Sequence, residues 1–117
     1  MSEPVGREWR FYIDDMIAFA EKVVAYTNGL DQQAFVASGL VYDATLRNLE
    51  LIVEAATHVP GDVRAAHPQV PWRLVVATRN RLIHGYLGID NDTLWSIVVS
   101  DVPALLPTLR TIKVAAA

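Results

Sequence analysis

The chain has 117 residues, with 10 basic and 13 acidic side chains giving a net charge of −3, 52% hydrophobic residues, 20% charged residues and no cysteine. That composition is far too apolar for a disordered chain, and the length fits one domain spanning residues 1–117. Disulfide frameworks, thiolate metal sites and cysteine catalysis are excluded, and the acidic balance taken globally speaks against nucleic acid, since phosphate contacts need Lys and Arg.

The first ten residues carry Glu3, Arg7, Glu8 and Arg10 with no apolar run behind a basic patch, unlike a signal peptide. No stretch approaches the roughly 18 to 20 apolar residues that span a bilayer, so a soluble, cytoplasmic protein is expected, with no membrane partner. From Trp9 to Asn28 the residues Ile13, Met16, Ile17, Ala20, Val23, Val24 and Thr27 repeat at three and four, which predicts an amphipathic helix closed by Gly29. Asp31 is placed to cap a short second segment through Ser38, and Gly39 to interrupt before a helix over about 40–58. The core stripe of that helix is Val41 or Tyr42, Thr45, Leu49, Ile52, Val53 and Ala56, and Pro60-Gly61 stops it.

A short turn follows Asp62, then Pro68 and Pro71 enforce an extended link, with Pro71 suited to the first position of a fourth helix running to about Tyr86. Trp72, Val75, Val76, Leu82 and Ile83 are its apolar members. Asp92 is expected to cap a last helical region from Thr93, which Pro103 and Pro107 bend or split. Strand periodicity is lacking, so the fold expected is all-α, an antiparallel bundle of four to five helices. The hydrophobic excess of so small a domain also suggests an apolar face reserved for a second copy.

Charge is uneven along this bundle: residues 1–62 sum to −6, residues 90–117 to −1, and residues 63–89 to +4 through Arg64, Arg73, Arg79 and Arg81. Within that cationic stretch lies Arg79-Asn80-Arg81-Leu82-Ile83-His84-Gly85-Tyr86. At about 100° per residue, Arg79, Leu82, Ile83 and Tyr86 share a face, whereas His84 lies about 140° from Arg79. A groove between two copies would bring two arginines and two histidines together, with Leu82 and Ile83 helping to form the interface. A histidine near a helix end also commonly just packs or caps carbonyls. Arg47 and Glu50 are spaced as an ordinary helix-face pair, or else Arg47 and Asn48 line the groove. Asp14, Asp15 and Glu21 read as a solvated face rather than a metal site, because the two adjacent aspartates diverge by about 100°. Trp72 and Trp95 read as core or interface anchors.

The segment resembles the R-x4-H-x-Y signature of the HepT-like toxins, a branch of the HEPN superfamily, with Arg79, His84 and Tyr86 on the signature positions. The likeness extends to Ala44-Thr45-Leu46-Arg47-Asn48-Leu49-Glu50 and on to Ala56, to His67-Pro68-Gln69-Val70-Pro71-Trp72-Arg73, to Asp90–Trp95 and to Val102-Pro103, about residues 10–110 in all. Ala77 and Val53 depart from the family pattern without touching the signature.

The resemblance implies a HEPN-like homodimer acting as a metal-independent endoribonuclease toxin, without cofactor, with RNA as substrate. Arg79 and His84 would be its catalytic pair, Asn80 and Arg81 substrate-positioning residues. It also implies a partner, an MNT-type nucleotidyltransferase antitoxin using ATP as AMP donor, that attaches AMP to Tyr86 and so blocks the site. A second reading of the same residues is a non-catalytic helical adaptor that binds such a partner and is modified by it.

Overall fold

A computed structural model describes the backbone of residues 5–82 and 88–116 and the side chains of residues 9–82 and 88–113. Within them the chain is all-α: α1 (Val5–Thr27), α2 (Gln32–Ala37), α3 (Gly39–Thr57), α4 (Gly61–Ala66), α5 (Trp72–Val76), α6 (Thr78–Leu82), α7 (Asn91–Ser96), a π-helical turn (Ile97–Asp101) and α8 (Val102–Ala116). The long helices α1, α3 and α8 form the frame, with α1 packed against both of the others. Two exposed ion pairs show α1 and α8 to be antiparallel, since Asp14 meets Lys113 at 3.2 Å and Glu21 meets Arg110 at 2.9 Å. At the other flank the Tyr12 ring stacks on His58, with centroids 4.8 Å apart, which sets the end of α3 beside the start of α1.

The apolar periodicity of α1 does what it predicts: Ile13, Met16, Ile17, Ala20 and Val23 are buried, and Thr27 joins them by donating its hydroxyl to the Val23 carbonyl at 2.8 Å. Gly29 follows with φ +80, the left-handed conformation that glycine adopts without a Cβ penalty. Asp31 accepts from the Ala34 N–H at 2.8 Å and starts α2, whose Phe35 is completely buried. Rather than interrupting the chain, Gly39 is the first residue of α3, because Ser38 closes α2 and accepts from the Val41 N–H.

Three boundaries differ from the sequence expectation for identifiable reasons. The fourth helix is broken at Ala77, which sits at φ −78, ψ −5. There the Thr78 hydroxyl donates to the Leu74 carbonyl at 3.1 Å, a back-bond that competes with the helix ladder and bends it. The cap of α7 is Asp90, not Asp92: one Asp90 oxygen accepts from the Asp92 N–H (3.1 Å) and the Thr93 N–H (3.2 Å), so the helix begins at Asn91. The irregularity assigned to Pro103 and Pro107 lies upstream of both. The Val102 N–H reaches back to the Ile97 carbonyl, widening the helix just before Pro103, whose ring would otherwise crowd the Val99 carbonyl. Pro107 then sits inside a continuous α8.

The core joins these rods through Leu49, Ile52, Val75, Leu82, Leu94, Ile97, Leu105 and Leu109, all buried. Trp72 is buried too and donates its indole N–H to the His67 carbonyl at 3.0 Å. Leu82 therefore belongs to the core of its own chain and is not free to build an interface; Ile83 lies outside the described residues. Large apolar side chains are exposed elsewhere, at Leu40, Leu74 and Val99.

Candidate active site

Helix α3 presents two different faces because its sequence alternates at the helical period. Thr45, Asn48, Leu49, Ile52, Ala55 and Ala56 turn inward and are buried. Asp43, Arg47, Glu50 and Glu54 recur at four, three and four along an outer stripe. That outer stripe, with Leu46 and Val53 beside it, forms one wall of an open cavity of about 780 Å³. The facing side comes from Thr78, Arg79 and Leu82 of α6 together with Ile89.

Arg79 and Arg47, 32 residues apart in sequence, thus share one cavity. Arg47 is held loosely by Glu50 at 3.7 Å, and both side chains are largely exposed, so the pair contributes little. Arg79 is exposed, and no described side chain pairs with its guanidinium. Asn80, next to it, is exposed as well. Asn48 does not line the cavity: it is buried on the inner face of α3 and donates its amide to the Ala44 carbonyl one turn back at 2.8 Å.

Arg81 also differs from its neighbour. Two residues along a helix is a rotation of about 200°, and its guanidinium donates to an Asp101 carboxylate oxygen at 2.8 Å, at the end of the π-helical turn. The other cations of the +4 stretch lie apart, Arg64 on α4 with its Nε buried and unpartnered among the described residues, Arg73 exposed on α5. The cationic stretch of the sequence is therefore not a cationic surface. The cavity itself sets Arg47 and Arg79 against Asp43, Glu50 and Glu54.

His84 and Tyr86 lie outside the described residues. What is fixed is where the chain leaves and returns: the Asp90 N–H donates to the Leu82 carbonyl at 2.8 Å. Past that joint, the Tyr42 hydroxyl donates to the Asn91 side-chain carbonyl at 2.5 Å and Gln32 donates to Asp92 at 2.6 Å. Burial, and secondarily the Asp43 carboxylate, push the Tyr42 phenol above its ordinary pKa. Sequence reasoning missed these contacts because their partners are 49 and 60 residues apart. Among the described residues, no group of three or more His, Asp or Glu side chains is arranged to hold a metal ion. Asp14 and Glu21 are exposed and taken up by the ion pairs to α8. None of the described helices is long and apolar enough to cross a membrane.

The family model described as "Ribonuclease HepT-like" matches residues 16–112. The chain belongs to the ribonuclease HepT-like family. It is 37% identical over 99 residues to a Methanocaldococcus jannaschii protein named "Putative RNase", covering 85% of this chain and 91% of that one. It is 33% identical over 99 residues to the "Probable ribonuclease HepT" of Thermococcus cleftensis, covering 85% and 90%. No solved structure matches. The all-α bundle and the family agree with the resemblance carried by the signature segment, and they make this HepT-like protein a member of a family of ribonucleases.

Proposed function

We propose that this protein is a metal-independent endoribonuclease, the toxin of a toxin–antitoxin pair, that cuts RNA in a cleft formed where two copies meet. The observation that carries this reading is the state of Arg79: it stands on the signature position, exposed at a cavity, and among the described residues no carboxylate forms an ion pair with it. A guanidinium left free in this way is a planar, permanently charged donor fork suited to phosphoryl oxygens.

In the reaction, the RNA 2′-oxygen bonds to the adjacent phosphorus as the bond from phosphorus to the 5′-oxygen breaks. The 2′-hydroxyl proton is taken up and the leaving 5′-oxygen is protonated, giving a 2′,3′-cyclic phosphate and a 5′-hydroxyl. His84 does this proton work, imidazole being the side-chain type that commonly serves as general acid and base near neutral pH. Arg79 stabilises the charge that gathers on the phosphoryl oxygens. Asn80 positions substrate from the exposed face of α6, and Arg47 takes the flanking phosphate. Arg81 is engaged by Asp101, so we assign it to holding α6 rather than to RNA.

Pairing of two copies, part of this proposal, would change the electrostatics of the cleft. One copy offers a cavity with more carboxylates than arginines, so a phosphate chain meets attraction there only near Arg79 and Arg47. A homodimer that sets two Arg79 side chains in one cleft concentrates attraction at the scissile phosphate. Tyr86, two residues past His84, is then the regulatory residue: AMP transferred to it from ATP by an MNT-type nucleotidyltransferase antitoxin adds phosphate beside Arg79 and excludes RNA by charge and bulk.

The test is cleavage of RNA by protein purified free of any partner, in the presence of a metal chelator. Arg79→Ala and His84→Ala are each expected to lower the rate at least a hundredfold, the usual loss for a group that stabilises the transition state. Undiminished cleavage in either variant, or cleavage that the chelator abolishes, overturns the mechanism. Intact mass after co-expression with a nucleotidyltransferase, in wild type and Tyr86→Phe, tests the modification.

A further inference from the structure

The residues just beyond the signature segment are held by more side-chain contacts than their exposure would suggest. The Asp90 N–H donates to the Leu82 carbonyl at 2.8 Å, which sets Asp90 against the end of α6. The Asp90 carboxylate then caps α7, accepting from the Thr93 hydroxyl as well at 2.8 Å. From the next two residues the chain is tied outward, Asn91 to Tyr42 of α3 and Asp92 to Gln32 of α2. Behind these bonds, Phe35 packs its ring against both Tyr42 (5.4 Å) and Trp95 (5.2 Å), locking α2, α3 and α7 together. The Tyr42 phenol is thus a partly buried donor aimed at one acceptor, with its ring fixed by a fully buried neighbour.

We propose that Tyr42 is a positioning residue of the ribonuclease site, acting through Asn91 to fix the point at which the segment carrying His84 and Tyr86 rejoins the fold. The inference rests on the proposed function, which places the proton-transferring group in that segment. Arg79 sits on α6, and the chain that follows α6 is caught again at Asp90 and Asn91. In this proposal the hydrogen bond from α3 to Asn91 holds that anchor point in register with α6. Small displacements of a reacting group have large effects on rate, about a hundredfold for 1 Å, while substrate held by Arg79 is bound as before.

The experiment compares wild type, Tyr42→Phe, Asn91→Leu, the double variant, Asn91→Asp, Gln32→Ala and Arg79→Ala on a randomised-sequence RNA oligonucleotide, measuring kcat, apparent KM and the unfolding midpoint. Tyr42→Phe keeps the ring against Phe35 and removes only the donor. It is expected to lower kcat about tenfold with KM within about twofold, as loss of one positioning hydrogen bond does. Asn91→Leu should match it, the double variant should lose no more than either, and Asn91→Asp, which keeps the acceptor, should recover most of the rate. Gln32→Ala, a surface change that cannot unfold the core, should lower kcat about threefold.

Wild-type kcat in Tyr42→Phe and Gln32→Ala, with Arg79→Ala inactive, overturns this inference and leaves the proposed function standing. Additive losses in the double variant, or losses that follow the unfolding midpoint alone, overturn it too. Full activity in Arg79→Ala overturns the proposed function instead.

Discussion

Arg79 and Arg81 are two residues apart, and the structure gives them different surroundings, which makes Arg81→Met an informative perturbation. The Arg81 guanidinium donates to Asp101 at 2.8 Å, and both side chains are about one third exposed. A hydrogen bond between charged groups contributes roughly 1.5–3 kcal/mol when well shielded, and a fully exposed pair 0–1 kcal/mol, so about 1 kcal/mol is expected here. Methionine keeps most of the apolar stem, leaving the lost ion pair as the main change. With an unfolding entropy near 2.1 cal/mol/K per residue, a loss of about 1 kcal/mol lowers the melting temperature of a chain this long by about 4 °C. The assay is thermal unfolding beside the RNA cleavage rate, in Arg81→Met, Asp101→Asn and both together. The midpoint should fall in each single variant, the double variant should fall by less than the sum, and cleavage should stay within about threefold of wild type. An unchanged midpoint with a hundredfold loss of cleavage refutes the reasoning and makes Arg81 an RNA ligand.

Two further outcomes follow from the same contacts. Phe35→Ala removes a fully buried ring that touches both Tyr42 and Trp95 and should cost about 3–5 kcal/mol, measured by denaturant unfolding; a cost below about 1 kcal/mol would mean that α2 is not part of the cooperative core. Tyr42 has its phenol pKa raised in the folded state, so the native chain keeps a proton that the unfolded chain releases above about pH 10; stability should hold below that pH and decline as pH rises beyond it. Tyr42→Phe should flatten that decline in alkaline unfolding curves, and an identical decline in both proteins would show that the phenol ionises alike in the two states.

Much of this molecule is legible in local pattern. Ile13, Met16, Ile17, Ala20 and Val23 mark one face of α1 by spacing alone, and Gly29 and Asp31 end one helix and begin the next because their backbone and side-chain chemistry act within four residues. Where two local signals competed, pattern was insufficient. Asp90 and Asp92 are both capable caps, and Asp90 is the one used, while Asp92 accepts from Gln32, 60 residues away. Likewise the break at Ala77 depends on a hydroxyl turning back to the Leu74 carbonyl, which residue type permits but does not require.

For the site, the linear motif picked out Arg79 among eight arginines as a candidate, and the likeness spread over about residues 10–110 pointed to the family that the match over residues 16–112 shows. Charge was a different matter. A +4 stretch of sequence looks like a patch only if its side chains point one way, and the helical rotation sends Arg81 to Asp101 while Arg79 turns to the cavity. Only the packing of α3 against α6 decided that Arg79 shares its cavity with Arg47 and three carboxylates, and that Asn48, adjacent to Arg47, faces the core. The sequence by itself determined an all-α bundle and its long helices, and singled out Arg79 as a candidate. Which neighbours that arginine has is a long-range property, set by how the rods pack, and no spacing along the chain encodes it.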